Sequence, residues 1–127
     1  VNTAGVGLYA VNAANAVGTR LTNYAISYVA GNLTVNAKDL TITAGDTNKV
    51  YGDTITFAGT EFTSVGLTNT DAVSGVTLTS AGTVATAGVA GSPFVITPSA
   101  ALGTGLGNYT IGYVTGNLTV SAATLTM

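Results

Sequence analysis

The sequence predicts an all-β protein made of small Ig-like antiparallel sandwiches in tandem. Three observations predict it: an internal repeat, short runs of alternating apolar and polar residues, and a composition almost without charge. The repeat is the strongest. Residues 23–42 read NYAISYVAGNLTVNAKDLTI and residues 108–127 read NYTIGYVTGNLTVSAATLTM, identical at thirteen of twenty positions with an offset of 85. Upstream, TAGV at 3–6 matches TAGV at 86–89, and GTRL at 18–21 matches GTGL at 103–106. A two-residue length difference lies between those blocks. Residues 1–37 therefore read as the C-terminal part of one repeat, 38–122 as a complete repeat, and 123–127 as the start of a third. Solenoid repeats run to about 20–47 residues. A period of 85 leaves room for a small core in each unit, so beads on a string fit better than a continuous β-helix.

Alternation assigns the strands. Leu40 and Ile42, Ile55 and Phe57, Val76 and Leu78, and Phe94 and Ile96 each flank one residue, which puts each pair on one face of a strand. Thr and Val are abundant, and β-branched side chains pack well on pleated sheets. The clearest unit is Tyr109–Val114, then Thr115-Gly116-Asn117, then Leu118–Val120. A Gly-Asn pair suits a short hairpin loop, so a β-hairpin is expected here and at the equivalent residues 24–35. Residues 67–74, LTNTDAVS, carry capping residues before apolar ones. They read equally as a helical turn or a polar loop. The alternative architecture is a β-grasp-like unit with one short helix near 68–75.

Composition excludes several function classes. Of 127 residues only 6% are charged: Arg20, Lys38, Lys49, Asp39, Asp46, Asp53, Glu61 and Asp71. An ordinary soluble domain carries about 25%. The net charge is −2, which offers neither a nucleic-acid footprint nor a polybasic membrane patch. From Ala72 onward there is no charge, yet Gly, Thr, Ser, Pro and Asn interrupt every apolar run. A membrane-spanning helix needs about 20 mainly apolar residues, so no membrane insertion is expected. The opening Val1-Asn2-Thr3-Ala4-Gly5 has no basic region and does not read as a secretion signal.

Catalysis lacks its usual parts. With no His and no Cys there is no ordinary triad and no thiolate. Paired carboxylates could do acid–base work, but Asp39, Asp46, Asp53, Glu61 and Asp71 fall mostly in predicted turns, where Asp bonds local backbone. Asp46-Thr47-Asn48, with Asp53 near, alternates oxygens as a calcium site would. No DxDxDG loop is present, so an Asx turn is the expected role. Tyr24, Tyr28, Tyr109 and Tyr113 could form an exposed stripe for sugar or protein, but alternation with Ile26 and Ile111 places them in the core, hydroxyls at the rim. Three glycosylation sequons begin at Asn32, Asn108 and Asn117, and hairpin turns account for the first and third. Nothing in the spacing supports an isopeptide from Lys38 or Lys49. No catalytic, cofactor-binding or metal-binding residue is assigned, and the chain is not expected to be an enzyme.

Lys49-Val50-Tyr51-Gly52-Asp53 opens a repeat that closes with Gly107-Asn108-Tyr109-Thr110-Ile111 and then Tyr113–Val120. This ordered set resembles the MBG domain of YGX type. It is similar to repeats of filamentous-haemagglutinin-like exoproteins, secreted by the two-partner route in Gram-negative bacteria. Asn69-Thr70-Asp71 departs from the usual pattern at one position. The resemblance implies an extracellular or cell-surface array that extends or presents an adhesin, and it carries over no catalytic residue. The expected partners are neighbouring repeats of the same chain. Other copies in a filament joined by strand complementation, or a host glycan or protein bound by the repeat itself, are the alternatives.

Overall fold

The computed structural model describes residues 4–126. Val1–Thr3, at the opening read as lacking a secretion signal and overlapping the first TAGV block, and Met127, the counterpart of Ile42, lie outside the described residues. The chain divides into two compact units, Val1–Ala37 and Lys38–Met127.

The first unit is a two-stranded antiparallel sheet. β1 (Gly7–Val11) pairs with β2 (Gly31–Val35), and Tyr9 lies opposite Leu33. Between them stand a 3-10 turn at Leu21–Asn23 and a stretch over 24–30 that belongs to no strand or helix.

Among its described residues the second unit holds seven strands: β3 (Lys38–Ala44), β4 (Thr47–Val50), β5 (Phe62–Val65), β6 (Ala72–Thr79), β7 (Phe94–Thr104), β8 (Tyr109–Val114) and β9 (Gly116–Ser121). They form a three-stranded sheet, β5-β3-β8, and a four-stranded sheet, β4-β9-β7-β6. Leu40, Ile42 and Ala44 of β3 and Tyr109 of β8 pack with Val76, Leu78, Ile96, Leu118 and Val120 of the other sheet. The alternation that marks these residues puts one face of each strand in the core and the other in water.

The fold is all-β, as expected, with no helix beyond short 3-10 turns among the described residues. Three details differ from expectation. First, the sandwich is not wholly antiparallel: β3 runs parallel to β8, with Leu40 opposite Ile111, and β4 runs parallel to β9, with Lys49 opposite Val120. Second, β8 and β9 do not form a hairpin. Each continues the other's direction while the chain steps from one sheet to the next, alongside the matching step from β3 to β4. Gly116 serves that crossing rather than a turn: a Cβ there would lie 2.6 Å from the Ala44 carbonyl oxygen and 2.9 Å from that of Gly45. In the first unit, β2 likewise pairs with β1 and not with residues 24–29. Third, 67–74 is not helical. The Asp71 N–H closes a turn on the Thr68 carbonyl at 3.2 Å, and β6 begins at Ala72. The short helix that a β-grasp-like unit needs is therefore not there. Residues 55–57 alternate in burial as expected but form no ladder.

β7 carries a bulge. Gly75 lies opposite Leu102 and Thr77 opposite Ser99, so Ala100 and Ala101 together face the single residue Val76, one more on the β7 side. Ala100 takes the left-handed conformation, φ 51. The Ala101 N–H freed by the bulge donates to the Tyr113 hydroxyl at 3.1 Å.

Candidate functional site

The acidic residues are the first candidates for chemistry, and four of the five hold the fold together. The Asp46 carboxylate accepts the Asn117 N–H at 2.8 Å, which ties the β3–β4 crossing to the β8–β9 crossing. Asp71 accepts the Tyr109 hydroxyl at 2.7 Å. Glu61 accepts N–H groups from Ala58, Gly59 and Thr60 at 2.9–3.0 Å. The bond from Ala58 is the main cause that holds its carboxyl below the ordinary value of 4.5, with Gly59 and Thr60 adding to it. Asp53 contributes backbone: its N–H closes a turn on Val50 at 3.0 Å, and its carbonyl accepts the Lys49 ammonium at 3.0 Å. Asp39 stays exposed on β3. Among the described residues no group of three or more His, Cys, Asp or Glu could hold a metal ion.

The Tyr51-Gly52-Asp53 turn is built around a buried cation. Gly52 has φ +101, a conformation that other residues adopt only under strain. The Lys49 side chain is buried, and its ammonium donates to the Asp53 carbonyl and to the Val84 carbonyl. Two main-chain oxygens take the amine where an isopeptide would need an Asn side chain.

Tyr109 shows what the leading half of the repeat does for the trailing half. Its hydroxyl accepts the Thr68 N–H at 3.0 Å and donates to Asp71. Burial pushes the phenol above its ordinary value of 10.0, and the Asp71 carboxylate adds to the shift. The tyrosine set expected in the core separates here. Tyr109 is buried, whereas Tyr24, Tyr28 and Tyr113 are exposed. β8 is an edge strand of its sheet, and only Tyr109 is roofed by the 68–71 turn. Tyr113 instead spends its hydroxyl on the β7 bulge. Asn32 and Asn117, the first and third sequon residues, lie within β2 and β9 rather than in hairpin turns.

The first unit repeats the trailing half of the second in detail. Tyr9 opposite Leu33, Ala10 opposite Asn32 and Val11 opposite Gly31 reproduce Phe94 opposite Leu118, Val95 opposite Asn117 and Ile96 opposite Gly116. Asn15 (φ 55) and Arg20 (φ 63) stand at the positions of Ala100 (φ 51) and Gly105 (φ 71). The Ala16 N–H donates to the Tyr28 hydroxyl at 3.0 Å, as Ala101 does to Tyr113. Burial does not repeat. Tyr24 is 69% exposed against 8% for Tyr109, Val11 is 53% against 0% for Ile96, and Leu33 is 53% against 0% for Leu118. The apolar side chains of the first unit are thus exposed where their counterparts are buried, and among the described residues no strand pairs with 24–29.

One shallow hollow in the second unit is lined by Ile55, Phe57, Leu78, Ser80 and Thr83 among others, with no charged group. No helix among the described residues is long and apolar enough to cross a membrane.

Neither the curated proteins nor the solved structures contain a match to this chain. The family model for the MBG domain (YGX type) matches residues 40–119, well over half of the sequence. That span contains the Tyr51-Gly52-Asp53 turn, the paired sheet crossings and the Tyr109–Asp71 clasp described above. The family is a repeat-type domain of surface proteins, and this chain belongs to the MBG domain (YGX type) family.

Proposed function

We propose that this chain is a structural segment of a large extracellular bacterial adhesin or fibre, acting as a spacer between other parts of that protein. The observation that supports this reading best is where the chemistry goes. Lys49, Asp46, Glu61 and Asp71 are spent on backbone or on Tyr109, and the residues that define the family pattern build turns and crossings. The 85-residue repeat and the low charge agree with a module that is copied for length. A Gram-negative, filamentous-haemagglutinin-like setting belongs to the same proposal. Negative-stain electron microscopy of the parent surface protein tests it. An extended rod of beads, one per repeat, is expected, and a compact particle would exclude a spacer role.

A further inference from the structure

We propose that β8 of the second unit is a docking edge for a second copy of this chain, whose own β8 pairs with it antiparallel. β8 is an edge without a guard. Four strands end the two sheets of this unit: β5 and β8 in one, β4 and β6 in the other. β4 and β5 have four residues each, and short edges resist pairing. β6 is irregular along its ladder, and its Val76 N–H is already given to the Gly59 carbonyl at 3.0 Å. β8 keeps an unbroken register with β3 over six residues, Tyr109–Val114, with no charge and no proline. β3 takes one side of it, and among the described residues no strand takes the other. Residues 38–122 span the full period of 85, so this edge is open in a repeat whose own strands are all placed.

Gly112 marks where a partner comes close. It lies within β8 in ordinary strand conformation, and a Cβ there would meet nothing within 4 Å. Neither the backbone nor the packing of this chain needs a glycine at that place. Ser27, its equivalent one period earlier, is small as well. A glycine inside a strand weakens it and often marks the close approach of another backbone.

The partner that fits is β8 itself. Antiparallel pairing about a two-fold axis at Gly112 sets Gly112 opposite its own copy, Thr110 opposite Val114 and Ile111 opposite Tyr113. The members of each pair share a face of the sheet, as strand alternation requires. Thr110, Tyr113 and Val114 are exposed and Ile111 is half-buried. Cross-strand pairs of β-branched and aromatic residues are favourable. Charge agrees with this pairing. β8 carries none, and the charges beside it, Lys38 and Asp39, stand on β3 next to Tyr109 and Thr110. The antiparallel arrangement brings them to the Val114 end of the copy, away from their own counterparts, so no like charges meet. Edge pairing adds main-chain hydrogen bonds and joins the two three-stranded sheets into one. One edge is a small interface, so a single copy pairs weakly and a row of repeats multiplies the effect.

Sedimentation velocity and NMR of the isotope-labelled full chain, over a concentration series, test this. A reversible dimer is expected, with concentration-dependent shifts at 109–114 and none at the edges β4 and β6. Gly112→Lys sets two like charges face to face and should weaken association at least about tenfold, as should Gly112→Asp. Both variants should keep the core spectrum of the original chain, since a Cβ at 112 meets open space. Mixing the two sets opposite charges face to face and should restore the dimer. The proposal is overturned if the chain stays monomeric at millimolar concentration or if the shifts fall outside β8. It is equally overturned if Gly112→Lys associates as well as the original chain, or if the mixed variants stay apart.

Discussion

The chain contains one structural segment twice, once roofed and once open, and the pair separates what is encoded locally from what is encoded at a distance. Strand register, the left-handed residues and the tyrosine hydroxyl on the bulge are the same in both. These features arise from the segment itself. Burial of Leu118, Ile96 and Tyr109 comes from β3, β6 and the 68–71 turn, which lie up to 80 residues away in sequence. Fully burying one such aliphatic side chain contributes about 1.5–3 kcal/mol. An isolated two-stranded sheet is marginal in water. The first unit therefore holds its shape with far less apolar burial than the second.

The largest test of that comparison is a pair of truncations. Leu118→Ala is expected to destabilise the second unit by about 2–5 kcal/mol, and Leu33→Ala to change the first by less than about 0.5 kcal/mol. Urea denaturation read by residue-resolved NMR measures both, and equal costs would break the distinction. Amide exchange sharpens it next. Amides of β1 and β2 should exchange at least about tenfold faster than their counterparts in β7 and β9, since the loss of one buried leucine already exceeds the 1.4 kcal/mol that a factor of ten requires.

Titration separates the units at both ends of the pH scale. The Tyr109 phenol is raised in the folded state, so the second unit keeps that stabilisation below the unfolded value near 10.0 and loses it as pH rises toward the folded one. Tyr109→Phe should remove this alkaline slope, and Tyr24→Phe should leave the first unit's melting unchanged. Glu61 behaves in the opposite sense. Its carboxyl is lowered, so its contribution is present above the unfolded value of 4.5 and disappears as pH falls through the folded one. Glu61→Gln should flatten the acid side of the second unit's stability curve and leave the first unit's alone. The smallest effect is at the bulge. Ala100→Gly should stabilise the second unit by about 0.5–1 kcal/mol in thermal melts, because Ala100 sits at φ 51 where its counterpart Asn15 is better tolerated.

Much of the fold was legible because it is written in local pattern. Alternation located Leu40 and Ile42, Val76 and Leu78, and Phe94 and Ile96 within strands. The pairing of those strands was not legible. Gly116-Asn117 has the composition of a hairpin loop, yet the glycine is needed for the approach of the Ala44 and Gly45 carbonyls, and the asparagine N–H is claimed by Asp46 from 71 residues away. Nothing near residue 116 announces a partner that distant. Asp71 reads as a helix cap for the same reason, since the Tyr109 hydroxyl that takes its carboxylate is 38 residues on. The exposure of Tyr24 was equally hidden, because its sequence context matches that of Tyr109, which is buried under a turn 38 residues or more before it in sequence.

The parallel crossing of β3–β4 on β8–β9 has a mechanical consequence. The chain enters the second unit at Lys38, at one end of this double ribbon, and leaves the ribbon past Ser121 at the other. Tension between those points pulls the two strands lengthwise past each other. The six residue pairs from Lys38–Tyr109 to Thr43–Val114 and the four from Thr47–Leu118 to Val50–Ser121 then bear the force together in shear, rather than peeling open one after another.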